Sequence, residues 1–180
     1  MKHANDVSLA GPISNARVKM FETWGLLTAN IAAVRVKVSL DSKDAQWAQG
    51  VCDSARSAVV HSGYFDSRRG NDGRWWYDVG CRKSCLSTPD GDVPLLNRAR
   101  VVGAVRDVQG PWLVVGCSYR IPGNAAKGRK SEWRDRVVHV LAQGDGEIYR
   151  GREIVAVGAA RPKVDGTWQL HLEASGIWTL

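Results

Sequence analysis

The sequence predicts a mainly β protein built from two small closed β-barrels in tandem. The first observation is a pattern that occurs twice, as NDVSLAGPI at residues 5–13 and as NRARVVGAV at residues 97–105. In both copies an Asn precedes a Gly by six residues, with the alternation that is typical of a half-buried strand. The Gly marks a bend or a close backbone approach, and a bent first strand is what a small closed barrel needs. The second observation is that alternating patterns recur along the chain, whereas only one segment has helical periodicity.

The composition describes an ordinary soluble globular protein. The 180 residues suffice for one domain or for two small ones, and 44% hydrophobic with 24% charged residues argues against disorder. No apolar run approaches the roughly 20 residues that span a bilayer, and the start lacks the apolar stretch of a signal peptide. We therefore expect an intracellular protein, cytoplasmic (nucleoid-associated) or in another intracellular compartment, with no membrane partner.

Charge and aromatic content favour a polyanionic partner. The formal net charge is +7 and the isoelectric point is near 9.5, a balance that attracts polyanions. Eight Trp residues are unusual for this length, because a Trp side chain must pack or stack.

The sequence predicts neither catalysis nor a cofactor. The four cysteines are expected to be free thiols, since Cys81 and Cys85 have a poor zinc spacing and no second pair completes a metal site. We find no Gly-rich phosphate loop, no Gly-x-Ser-x-Gly and no His-Glu-x-x-His motif. The four His are scattered, so the chain is predicted not to be an enzyme.

In the first half, residues 16–22 extend the opening strand past a bend. Residues 32–40 (AAVRVKVSL) alternate Val or Leu with polar residues, which predicts an amphipathic strand. Arg35 and Lys37 would lie on its outward, basic face.

Four further segments complete the first half. Residues 45–60 are Ala-rich with apolar residues on one helical face, which predicts a helix. Residues 63–73 (GYFDSRRGNDG) have the composition of a loop. Residues 74–81 (RWWYDVGC) predict a strand, and residues 84–93 (SCLSTPDGDV) a linker between domains.

The second half predicts five strands, at residues 99–108, 111–121, 133–142, 153–162 and 167–172 or beyond. A basic loop at residues 122–131 separates the second from the third, and Asp165–Gly166 is a favoured hairpin turn. Five strands in this order, with no strong helix, suit a small Greek-key barrel of the oligonucleotide-binding (OB) type.

Four motifs follow one another in this half: NRARVVGAV at residues 97–105, EWRDRVV at 132–138, YRGREIVAVG at 149–158 and TWQL at 167–170. In this order they resemble the bacterial and organellar single-stranded DNA-binding protein family. That family opens with an Asn-x-Val-x-Leu-x-Gly-x-Leu/Ile strand, which residues 5–13 match still better. The resemblance covers residues 97–172.

The resemblance implies an OB fold at residues 91–180 and a divergent OB-like domain at residues 1–90. It also implies single-stranded DNA as the ligand, with RNA as an alternative. Where four barrels make the working unit, as in many family members, a chain with two would need only a homodimer; a higher homo-oligomer is the other possibility. The family's acidic tail, which recruits partner enzymes, is not matched by residues 175–180 (SGIWTL).

Binding a single strand without reading its sequence needs cations along the phosphates and flat side chains on which bases stack. Aromatic and basic residues coincide at residues 64–76 and 112–136. The predicted nucleic-acid-binding residues are Arg35, Lys37, Tyr64, Phe65, Arg68, Arg69, Arg74, Trp75, Trp76, Trp112, Tyr119, Arg120, Lys127, Arg129, Lys130, Trp133, Arg134 and Arg136.

Some of these residues have a structural alternative. Trp75 and Trp76 are consecutive on a strand and point to opposite faces, so one of them is expected in the core. Trp133 suits a structural role almost as well as stacking, and residues 127–130 could be a solvated hairpin tip.

Two functions remain open at this point. The first is single-stranded nucleic-acid binding in replication, recombination or repair, in a protein that a phage or mobile element could encode. The second is an all-β structural or protein-interaction module with a Trp-rich partner surface. The coincidence of aromatic and basic residues favours the first.

Overall fold

The computed structural model describes residues 3–69, 73, 75–121, 132–162 and 170–180; at residues 68, 69, 75, 119–121 and 132–134 it describes the backbone alone. Strands dominate. In chain order the elements are β1 Ala4–Met20, β2 Trp24–Ile31, β3 Val34–Asp41, α1 Ala45–Ser54, β4 Ser57–Arg69, β5 Trp75–Arg82, β6 Leu86–Ser87, β7 Leu96–Gln109, β8 Trp112–Ile121, β9 Glu132–Leu141, β10 Glu153–Pro162 and β11 Leu170–Thr179. Short 3-10 turns lie at Ser42–Asp44, Lys83–Cys85 and Gly146–Tyr149.

The first five strands form a closed ring. β1 pairs with β2, and β2 with β3, in antiparallel hairpins. β3 then pairs in parallel with β5, β5 pairs with β4, and β4 returns to β1 from Val7↔Gly63 to Pro12↔Ser57. α1 lies between the third and fourth strands of the ring, and the short β6 adds to the edge of β4. β5 reaches β4 only from Gly63 onwards, so β6 pairs with the part of β4 that β5 leaves open.

The second half repeats this order. β7 pairs with β8, β8 with β9, β9 in parallel with β11, β11 with β10, and β10 returns to β7. In place of α1 it has the 3-10 turn at Gly146–Tyr149 between its third and fourth strands. The prediction of a mainly β, Greek-key barrel fold is confirmed. That the two rings act as separate domains at residues 1–90 and 91–180 stays a prediction.

The inward-facing side chains of the strands fill the interior of both rings. In β3, Val34, Val36 and Val38 are buried, and in β8, Leu113 and Val115 are buried. These side chains belong to one hydrophobic cluster that draws on every long strand. The core follows from the period-two patterns, because alternate side chains of a strand point to the same face of the sheet.

The two rings are joined through their opening strands. β1 and β7 pair antiparallel from Ala4↔Val102 to Ala10↔Leu96. Val7 lies opposite Ala99, and each of these residues follows the Asn of its own copy by two positions. The two copies of the repeated pattern are therefore related by a local twofold axis between Val7 and Ala99, and one sheet runs through both rings.

The repeated Asn has the same role in each ring. Asn5 donates from Nδ2 to the Phe65 carbonyl (2.9 Å) and accepts at Oδ1 from the Phe65 N–H (2.8 Å). Asn97 makes the same two hydrogen bonds with Ala160, at 2.7 and 2.8 Å. In both cases a side-chain amide extends the pairing of the first strand with the fourth strand of its ring.

One strand was missed and two predicted elements need correction. The strand β2 was not predicted at all. The loop predicted at residues 63–73 is the second half of β4 as far as residue 69. The predicted helix ends at Ser54, because residues 57–60 are drawn into pairing with β1 and β6. The predicted turn at Asp165–Gly166 and the loop at 122–131 lie outside the described residues.

The four cysteines are free thiols, as predicted. Cys81 and Cys117 are buried in the rings, and burial raises the pKa of each to about 12. Both thiols are therefore protonated and unreactive near neutral pH.

Candidate nucleic-acid interface

Arg35 and Trp76 form an exposed cation–aromatic pair on the first ring. The Arg35 guanidinium on β3 lies 5.6 Å from the ring centre of Trp76 on β5. Its Nε lies 2.9 Å from a carboxylate oxygen of the buried Asp78. Trp76 is 38% exposed. The exposed indole offers a flat stacking surface, and the guanidinium beside it adds positive charge that Asp78 partly offsets.

Lys37 does not face solvent. It is only 8% exposed, and its Nζ lies 2.8 Å from Oδ2 of Asp66. The prediction that Lys37 points outward beside Arg35 is wrong, because the end of β4 lies against β9 of the second ring and covers this position. Ser67 of β4 donates a hydrogen bond to the Val137 carbonyl at this contact.

Arg136 completes an ion triad across the two rings. Its Nε lies 2.8 Å from Oδ1 of Asp66, so one carboxylate bridges Lys37 of the first ring and Arg136 of the second. Burial alone would raise the pKa of Asp66, but the hydrogen bond from Lys37 and the two cations outweigh it and hold this pKa below its usual range. Arg136 therefore links the second ring to the first through Asp66.

Phe65 belongs to the core and is only 3% exposed. The prediction that it stacks on bases is wrong, since β4 turns its side chain into the first ring. Tyr64 is half-buried, and its phenol packs against Gly80. A Cβ atom at position 80 would come within 2.6 Å of the Tyr64 side chain. The small residue at 80 makes room for this tyrosine on the outer side of the ring.

Cross-strand register places predicted aromatic and basic residues opposite one another in two hairpins. In the β4–β5 hairpin Arg68 pairs with Trp76 and Arg69 with Trp75. In the β8–β9 hairpin the pairs are Tyr119↔Arg134 and Arg120↔Trp133. Arg74, Lys127, Arg129 and Lys130 lie outside the described residues.

Trp112 packs rather than projecting freely. It is half-buried at the start of β8, and its ring meets that of His171 edge-on, with the ring centres 4.9 Å apart. This contact ties β8 to β11. The structure therefore gives Trp112 a packing role instead of the predicted stacking role.

Sequence reasoning missed an aromatic pair at the β1–β2 turn. Phe21 and Trp24 stack on one another, and the Nζ of Lys19 lies 5.1 Å from the centre of the Phe21 ring. The available signal was two aromatics three residues apart beside a basic strand end. It was overlooked because β2 was not predicted.

A groove of about 700 Å³ crosses the seam between β1 and β7. Its basic residues are Arg98, Arg100 and Arg161. Asp6 pairs with Arg100 and Glu173 with Arg161, whereas Arg98 forms no ion pair with any residue that the structure describes. Among the described residues, Arg98 is thus the cation of this groove without an ion pair; it was missed because β7 was interpreted alone.

Within the described ranges, no group of three or more His, Cys, Asp and Glu side chains could hold a metal ion. Over the same ranges no helix has the length and apolar character needed to cross a bilayer.

No protein-family model matches the sequence, and no curated protein matches it either. The fold is similar to a crystal structure of a deletion mutant, with one further substitution, of the single-stranded DNA binding protein from Thermus aquaticus. The TM-score is 0.62 at 15% sequence identity, over 99% of this chain and 95% of that chain. At this identity the likeness concerns the fold, and it confirms the OB-type fold expected from the sequence resemblance.

Proposed function

We propose that this protein binds single-stranded DNA, without catalysing a reaction, through tandem OB folds. Bases stack on exposed aromatic side chains, and Lys and Arg contact the phosphates. The observation that carries the proposal is the Arg35–Trp76 pair, an exposed indole with a positioned cation on the outer face of a closed barrel. The fold similarity to a protein named for single-stranded DNA binding supports it.

The two hairpins supply the rest of the proposed interface. Trp76 and Arg68 are opposed in the β4–β5 hairpin, and Trp133 and Arg120 in the β8–β9 hairpin. The basic loop residues Arg74, Lys127, Arg129 and Lys130 remain proposed phosphate contacts. Base stacking is sequence-tolerant because every base has a flat face, so this interface would bind single strands with little sequence preference.

The proposal extends to biological role and assembly. A protein with this activity would act where DNA is unpaired, in replication, recombination or repair. We propose a homodimer or higher homo-oligomer, which would present four or more rings to one strand. Molar mass in solution tests the assembly directly: a monomer at working concentration would contradict it.

Tryptophan fluorescence titrated with oligo-dT at two salt concentrations tests the binding. We expect quenching at low salt, and a log–log salt slope of about −0.7 for each phosphate contact. A chain that neither quenches nor binds at low salt contradicts the proposal. Duplex DNA of the same length should compete poorly, and oligo-U measures whether RNA is bound as well.

Trp76→Ala is the sharpest variant for this site. Loss of one stacked base should weaken oligo-dT binding by about 1–3 kcal/mol. Trp178→Ala is the matched control, because Trp178 is 55% exposed on β11 and has no cation over its ring among the described residues. Unfolding midpoints of both variants separate lost binding from lost folding.

A protein-interaction module is the second candidate, and one observation favours it. Ile148, Trp178 and Leu180 are exposed apolar residues, and Ile148 and Trp178 line one shallow groove. If the groove is a partner surface, Trp178→Ala changes molar mass or partner binding while affinity for oligo-dT stays unchanged. An unchanged mass together with normal DNA binding would remove this candidate.

A further inference from the structure

The β1–β2 hairpin is longer than its counterpart in the second ring. β1 and β7 both start one residue before the repeated Asn, yet β1 has 17 residues and β7 has 14. The last pair of the first hairpin is Met20↔Gly25, whereas the second closes at Gln109↔Trp112 around two residues. The second ring closes without the extra length, so barrel closure does not explain the extension.

The extension carries a preformed aromatic stack. The rings of Phe21 and Trp24 lie 4.1 Å apart between centres at an interplanar angle of 19°. The Phe21 N–H donates to the Trp24 carbonyl at 2.7 Å, which fixes the turn between them. The two side chains are 40% and 48% exposed. They cover one another but leave an aromatic surface open to solvent.

Two cations precede the stack on the same face of β1. Arg17, Lys19 and Phe21 are exposed at alternate positions, while Val18 and Met20 pack against the core. Lys19 contacts the Phe21 ring. Within the part of the chain that the structure describes, neither Arg17 nor Lys19 forms an ion pair. Glu22 is the one acidic residue of the turn.

We propose that Phe21 and Trp24 form a second base-stacking site for single-stranded nucleic acid, with Lys19 and Arg17 as its phosphate contacts. A nucleic-acid base can stack on the open face of this nearly parallel pair of aromatic rings. The positive charges of Arg17 and Lys19 beside it would attract the phosphates. The site rests on the proposed function and deepens it.

The new site continues the face that carries Arg35 and Trp76. Trp24 pairs with Asp41 at one end of the β2–β3 hairpin, and Asn30 pairs with Arg35 at the other. At the rise of an extended strand these ends are roughly 20 Å apart. A single strand that follows β2, whose residues Leu26, Thr28 and Asn30 are partly exposed, would therefore meet an aromatic–cation group at each end.

The experiment measures the affinity of Trp24→Ala and Phe21→Ala for oligo-dT of about 30 nucleotides, long enough for the 4–16 nucleotides that each OB fold covers. We expect each variant to bind about 5- to 150-fold more weakly, the factor for one lost stacked base. The conservative Trp24→Phe should keep most of the affinity but lose part of the fluorescence quench. Trp178→Ala is the control for an exposed Trp elsewhere.

Charge variants give an independent readout. Arg17→Gln with Lys19→Gln should reduce the salt slope by about 1.4, at about 0.7 for each contact, whereas Glu22→Gln should not reduce it. The proposal is overturned if Trp24→Ala binds as the wild type with its full quench, or if it changes only the molar mass. If wild type and Trp76→Ala both fail to bind, the proposed function itself has failed.

Discussion

At the residue scale, the repeated Asn shows how a pattern that marks a strand can also hold a barrel together. Asn5 and Asn97 each form two hydrogen bonds to the backbone of one residue on the fourth strand of the ring. Asn is otherwise disfavoured in strands. Its side-chain amide has one donor and one acceptor group, which is what a backbone position offers, and this explains why it occurs in both copies.

Removal of either amide should destabilise the protein. Asn97→Ala and Asn5→Ala each leave the N–H and carbonyl of a strand residue without a partner, which costs about 1–3 kcal/mol for a buried group. Chemical denaturation of the single variants measures this loss. Asn30→Ala is the control, because no hydrogen bond of its side chain is present within the described residues. Equal stability of Asn97→Ala and Asn30→Ala would contradict the role assigned to the amide.

His139 makes stability depend on pH. Burial first, and then the charge of His171, lower the pKa of His139 from 6.5 to about 4. The folded state therefore binds fewer protons than the unfolded state between these values. The contribution of His139 to the free energy of unfolding should be constant above about pH 6.5 and should fall by about 2–3 kcal/mol as the pH drops towards 4.

Denaturation at several pH values, for wild type and for His139→Gln, tests this. The variant has no imidazole at this position, so its stability should fall less between pH 6.5 and 4. If the variant and the wild type have the same slope, His139 is not the cause.

At the element scale, the missed strand β2 has a local explanation. The turn between β2 and β3 consists of Ala32 and Ala33, whose φ angles are +48° and +66°. Positive φ at both positions is the geometry of a two-residue hairpin turn, which Asn-Gly or Asp-Gly normally signals. Because two alanines give no such signal, the hairpin could not be recognised from the sequence.

The contact between β4 and β9 depends on the carboxylate of Asp66. Asp66→Asn removes the charge that compensates the buried Lys37 and the half-buried Arg136. Breaking a buried ion pair by removal of one partner costs about 3–5 kcal/mol, and denaturation measures it. Glu173→Gln, which breaks the exposed pair with Arg161, should cost less than about 1 kcal/mol.

A companion variant separates charge from packing at this contact. Lys37→Met together with Asp66→Leu removes both charges of the first ring, so it should recover part of the stability that Asp66→Asn loses. If Asp66→Asn were as stable as Glu173→Gln, the triad would not hold the two rings together.

At the scale of the whole molecule, the two rings should unfold as one unit. They share the sheet through β1 and β7, one hydrophobic cluster and the ion triad. We expect a single calorimetric transition whose van't Hoff enthalpy equals the calorimetric enthalpy. Two resolved transitions would show that each ring is stable without the other.

The first ring shows why local patterns reveal only part of a barrel. Its opening strand matches the repeated pattern best, yet its later strands were hard to recognise. β4 is dense in Gly, Ser, Asp and Arg, the composition of a loop, and becomes a strand because it pairs with β1 on one side and β5 on the other. Tertiary pairing overrides local preference in strands more readily than in helices.

By itself, the sequence determined the β class, the repeat, every strand of the second half and the two segments in which aromatic and basic residues coincide. Period-two alternation carries that information, because it fixes which side chains share a face. The tertiary structure alone decided which of these residues are available. Phe65 points into the core, and the second ring covers Lys37. Trp76 and Trp24 are exposed and lie close to cations. Burial depends on which strands meet across the barrel and between the rings, which no local pattern contains.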